Sequence, residues 1–135
     1  MNRLASILTG CAAGIAVIFG MDMVSHMVFP PPSGFDLQNP EDLKKLVLLM
    51  PIGAFVLLLV GAFLGAFAGG IVCTLISKER KFRNVMIVGL VLTAMGALNF
   101  MMVPHPMWFM IASLVVYFAG AFGGYKLTMM IKKDA

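Results

Sequence analysis

Charge is what this sequence has least of. Lysine, arginine, aspartate and glutamate make up 12% of its 135 residues, against about 25% in an ordinary soluble domain. Hydrophobic residues make up 61%, and the mean hydropathy is +0.98. A water-soluble fold of this size could not hide so much apolar surface, so the chain reads as one membrane domain, residues 1–135, with no room for a second, soluble one. The two cysteines, Cys11 and Cys73, lie far apart inside apolar runs, and no C-x-x-C pair is present. That excludes a thiol-redox motif and implies no structural disulfide. A phosphate-binding loop, a Ser-His-Asp nucleophile system and a zinc-protease helix are all missing, so there is no enzyme signature. The net charge of +4 is carried by short basic clusters beside apolar runs, where it reports membrane orientation rather than nucleic-acid binding.

What the chain does have is long apolar segments. Four are long enough to cross the hydrocarbon as helices, at 4–24, 40–77 with a kink near Pro51, 84–103 and 107–131. The first contains Leu8-Thr9-Gly10-Cys11, which looks like a lipoprotein cleavage box, but the apolar run continues well past the cysteine and suits a retained helix better. Phe29-Pro30-Pro31-Pro32-Ser33-Gly34 ends that crossing. Asn39-Pro40-Glu41-Asp42 then supplies a cap, a first-turn proline and two acids for a new helix, whose first part is amphipathic and belongs at the interface. Pro104-His105-Pro106 separates the last two crossings, with Trp108 and Phe109 as an interfacial anchor.

The second crossing is the expected hub. Gly61, Gly65 and Gly69 fall four apart on one face, beside a row of Ala62, Ala66, Gly70 and Thr74. In lipid no hydrophobic force draws helices together, so close approach over small residues has to supply the packing. Gly10 and Gly14 give the first crossing a face of the same kind, and Gly120, Gly123 and Gly124 do so for the last. A faint repeat is also present: Gly69-Gly70 with Thr74 and Lys78 returns 54 residues later as Gly123-Gly124 with Thr128 and Lys132. Two helical hairpins of the same orientation would follow from it.

Orientation follows from the basic residues. Eight of the ten lysines and arginines fall on one side, and only Lys44 and Lys45 on the other. Both termini are therefore expected in the cytoplasm.

Polar residues within the apolar segments are few, so Asp22, His26 and Asn99, with His105 just beyond a helix end, form the candidate polar site on the outer side. Asp22 and His26 are four apart, a spacing that permits a carboxylate-histidine hydrogen bond or two metal ligands. The plainer reading is solvated residues that cap or join helices, with His105 in an exposed turn. Haem or metal ligation by His26 and His105 is an alternative that would need a bound cofactor, and no cofactor is predicted. The thirteen methionines, several gathered toward the outer side, raise the idea of copper, but no tight Met-x-x-Met array is present and packing explains them better.

His26-x-x-Phe29-Pro30-x-Pro32-x-Gly34, the Gly-rich second helix and Pro104-His105-Pro106-Met107-Trp108 together resemble small four-helix inner-membrane proteins of bacteria. The resemblance covers nearly the whole chain and brings no activity with it. Small multidrug exporters need an acid in the middle of the first helix, where this chain has Ala13, Gly14 and Ile15, and the Phe- and Thr-rich third helix of fluoride channels is not matched by 85–103. The expectation is an all-α integral membrane protein in the bacterial cytoplasmic membrane. Its role would be that of a non-catalytic accessory or scaffold component, packing against a second copy or a membrane partner through its glycine faces. A small oligomeric transporter or channel using Asp22, His26 and Asn99 at an outer vestibule is the rival. A haem or metal redox subunit is the third class.

Overall fold

The computed structural model describes residues 2–30, 33, 34, 36, 38–102 and 105–134, so Pro31, Pro32 and Pro104 of the two proline motifs lie outside the described residues. Every regular element among the described residues is helical: α1 (Arg3–Val28), α2 (Pro40–Leu49), α3 (Ile52–Ile76), α4 (Lys81–Met102) and α5 (Met107–Asp134). Four of them, all but α2, are long and apolar enough to cross a membrane. Large apolar side chains cover their outer surfaces, with Phe19 at 66%, Leu98 at 60% and Ile111 at 57% exposure. Lipid tolerates such a surface and water does not.

Each helix start and stop has a local cause. Asn2 caps α1, its side chain accepting from the Ala5 amide at 2.8 Å, and Asn39 caps α2 by accepting from the Glu41 amide at 3.0 Å, with Pro40 in the first turn. The sequence suggests one kinked helix over 40–77, but the structure has a break there. Met50 and Pro51 are extended, with ψ of 133° and 156°, because the proline ring pushes the residue before it out of the helical region. α4 begins at Lys81, three residues earlier than the expected 84, which shortens the basic loop to 77–80 and puts Asn84 inside the first turn.

α3 is the hub. It packs on α1 along one side and on α5 along another, and α4 touches all three. The α1–α3 contact is antiparallel and made by backbones. A Cβ built on Gly10 would stand 2.9 Å from the Gly69 carbonyl oxygen, and one on Gly14 would stand 2.9 Å from that of Gly65. The α3–α5 contact is parallel. Gly70 lies against the Ala121 carbonyl and Gly124 against the Phe67 carbonyl, while a Cβ on Gly120 would be 2.7 Å from the Phe63 carbonyl oxygen. The first two pairs are the same contact displaced by 54 residues, since Phe67 maps to Ala121 and Gly70 to Gly124. Thr74 and Thr128 keep the same offset, each hydroxyl donating to the carbonyl of its own Gly70 or Gly124, at 2.6 and 2.8 Å. Gly61 meets only the Met21 side chain, and Gly123 only the Phe67 ring at ordinary contact distance. Between the two ends the core is filled by Cys11, Ala62, Ala66, Val85, Val88, Leu92 and Ala121.

Candidate functional site

The two ends of the bundle differ in chemistry. Arg3, Ser77, Asn84 and the end of α5 share one end, while α2, the end of α1 and the start of α5 share the other. At the α2 end a cleft of about 540 Å³ opens between α1, α2 and α3. The apolar face of α2, Leu43, Leu46 and Val47, forms one wall, and Ala54 and Leu58 of α3 form another. Helical spacing puts those three α2 residues on one side. The Asp42 carboxylate of α2 accepts from the Asp36 amide of the preceding loop at 3.0 Å, and none of the helix's residues is fully buried.

His26, Asn99 and His105 all line this cleft, joined by Ser25. Three of the four polar residues picked out in the sequence therefore meet in one place, drawn from α1, α4 and the turn before α5. Asp22 does not line it. Although α1 continues through both residues, the carboxylate-histidine bond that their spacing permits does not form. His26 Nδ1 instead donates to the Asp22 main-chain carbonyl at 2.7 Å, which leaves Nε2 facing away from that bond. Asp22 itself is half-buried on α1.

His105 is not in an exposed turn. It is half-buried, stacked on Phe109 at 5.3 Å between ring centroids and edge-on to Phe100 at 5.1 Å, with Phe55 at 6.5 Å. The convergence of α3, α4 and α5 supplies this aromatic shelf. The methionines gathered at this end divide: Met21 and Met110 are half-buried, with Met21 packed on Gly61, whereas Met27 at 80% and Met101 at 84% exposure belong to the outer surface. Among the described residues no three His, Cys, Asp or Glu side chains come together as a metal site.

Among the described residues the cleft lining offers the hydrogen-bonding groups of Ser25, His26, Asn99 and His105 and no Lys, Arg, Asp or Glu. It can therefore hold an apolar body and satisfy a neutral polar head, while a charged head would be left without a counter-charge.

The opposite end carries a buried polar network that the sequence reading missed. Asn84, fully buried, donates to Ser77 Oγ at 3.0 Å and to the Glu79 carbonyl at 3.2 Å, and accepts from Arg3 Nε at 2.9 Å. Ser77 Oγ donates onward to Ser6 Oγ at 3.0 Å, and Ser6 Oγ to the Arg3 carbonyl at 2.8 Å. One chain of bonds thus ties α1, the 77–80 loop and α4. No buried side-chain nitrogen or oxygen among the described residues is left without a partner. The available sequence signal was that small polar residues recur at one depth near that end, Ser6, Ser77 and Asn84, beside the basic loop.

Compared with protein-family models, curated proteins and solved structures, the chain shows no significant match.

Proposed function

We propose that this chain is a non-catalytic accessory protein of a cytoplasmic membrane. Its four long helices cross the bilayer with both termini inside, and it binds a neutral amphiphile in the cleft beneath α2. The observation that carries this reading is the composition of the cleft. It has about 540 Å³ of space, apolar walls and a polar group of His26, Asn99 and His105, with no Lys, Arg, Asp or Glu among the described residues that line it. Ligand sites of roughly 300–1,000 Å³ combine apolar walls with a few convergent polar groups in this way. The amphipathic α2 lies over the cleft and supports entry from the lipid interface.

The glycine faces, the earlier candidates for partner binding, are engaged inside the chain by α1, α3 and α5. Recognition is better sought at a surface the fold leaves open. Flux through the centre of one chain would have to part Val88, Leu92 and Ala121, so a transport role would need a path between copies of the chain.

The reading is tested with a neutral monoacyl glycerol carrying a diazirine on its acyl chain, photolysed with the purified protein in nanodiscs. Crosslinks are expected on α2 and on the α3 residues near Leu58. Leu58→Trp should block them by filling the cleft. His26→Ala and Asn99→Ala should each weaken retention about fivefold, the worth of one hydrogen bond. Labelling spread evenly over the lipid-facing helices, unchanged by Leu58→Trp, would refute the assignment.

A further inference from the structure

A second groove, of about 430 Å³, lies at the basic end between the start of α4 and the last turns of α5. Four lysines line it, Lys81, Lys126, Lys132 and Lys133, and among the described residues its lining includes no carboxylate. Lys81 of α4 and Lys132 of α5 share this lining, which sets like charge beside like charge. Asp134 follows Lys133 in the sequence, and Glu79, two residues before Lys81, lines the separate cavity around Arg3 and Asn84. Lys126 Nζ stands 5.6 Å above the Phe122 ring, a contact that orients the amine without neutralising it. Four ammonium groups gathered on one groove repel one another, and an anion among them would offset that repulsion.

The rest of the lining points to the kind of anion. Met129 and Met130 continue the groove onto the outer surface of α5, where Met130 and Ile131 are 62% and 61% exposed. An occupant that satisfies both parts has a negatively charged head and an apolar chain. We propose that this groove holds the phosphodiester headgroup of an anionic phospholipid, with the lysines on the phosphate and Met129 and Met130 against the first part of an acyl chain. Lysines at the end of a membrane helix are suited to such a headgroup as compact point charges that reach the interface on flexible stems. Bound there, the lipid would join α4 to α5 where their charges otherwise push them apart. The inference rests on membrane insertion of the bundle and not on the neutral cleft at the other end.

The test is native mass spectrometry of the full chain in mild detergent, offered equal amounts of phosphatidylglycerol and phosphatidylcholine with identical acyl chains. Phosphatidylglycerol adducts should survive activation and phosphatidylcholine adducts should not. Lys81→Gln with Lys132→Gln should cut phosphatidylglycerol retention by about tenfold to thirtyfold, and Lys44→Gln with Lys45→Gln at the far end should leave it unchanged. If the first pair loses helical circular dichroism, Lys126→Gln with Lys133→Gln applies the same test at more exposed positions. Equal retention of the two lipids, or undiminished retention in a folded lysine variant, would overturn the proposal. Displacement of the lipid by millimolar inorganic phosphate would also overturn it, in favour of a soluble-anion site. An alkaline carbonate wash of the source membranes separates failure of insertion from failure of the groove. The neutral-amphiphile crosslink reports independently on the α2 cleft.

Discussion

Asn84 shows how much one side chain can organise at the end of a bundle. Its amide reaches Arg3 of α1, Ser77 of the loop and the Glu79 carbonyl, and it is fully buried while doing so. Asn84→Ala would leave the Ser77 hydroxyl and the Arg3 guanidinium each short of a partner. The expected loss is about 1–2 kcal/mol: buried unpaired groups cost more than the bond itself is worth, while interhelical bonds in membranes run below the values for water-soluble cores. Ser6→Ala, at the edge of the same network, should cost less. Reversible unfolding of the detergent-solubilised protein in sodium dodecyl sulfate checks the order, and equal losses for the two variants would show that Asn84 is no hub. The sequence could not mark Asn84 as buried, because its Arg3 partner is 81 residues away and an asparagine at a helix start reads equally well as a cap. Asp22 and His26 show the converse. Their spacing was plain, but the fold gave the ring a main-chain acceptor, the Asp22 carbonyl, instead of the carboxylate.

Among elements, the pairing of α3 with α5 is the contact with the most internal order. Gly70 on Ala121 and Gly124 on Phe67 are backbone-to-backbone approaches related by the 54-residue offset, and neither leaves space for a larger side chain. Gly70→Leu and Gly124→Leu should therefore destabilise by similar amounts, about 1–3 kcal/mol or more, since a carbonyl cannot move aside as a flexible side chain can. Gly20→Leu, which meets nothing within 4 Å, should leave the unfolding midpoint unchanged or slightly raised. Thermal melts of the three variants in one detergent test this, and a large difference between Gly70→Leu and Gly124→Leu would show that the offset is coincidence. Element existence was legible here because four apolar runs of membrane length leave few alternatives. The break at Pro51 was less so. A proline after an amphipathic turn permits a kink or a stop, and the outcome depends on how α2 lies across the end of α1 and α3.

For the molecule as a whole, charge separates the two ends. Arg3, the 77–83 stretch and the end of α5 hold eight of the ten basic residues, while Asp36, Glu41 and Asp42 join Lys44 and Lys45 around α2. That asymmetry was legible from the chain alone. The meeting of His26, Asn99 and His105 in one cleft was not, because it requires α1, α4 and the start of α5 to converge beside α2. Retaining lysines and arginines on the cytoplasmic side during insertion should fix the bundle with the α2 cleft outward. Single reporter cysteines test this cleanly, since Cys11 and Cys73 are buried and give little background to a bulky, membrane-impermeant maleimide. Lys44→Cys should label in intact cells. Lys133→Cys should label only after the membrane is opened, with both variants in a Cys11→Ala, Cys73→Ala background as a control. The reverse pattern would place the lysine groove on the outer leaflet and the neutral cleft within. Each site would then meet a different lipid population, and the charge asymmetry would need a cause other than insertion.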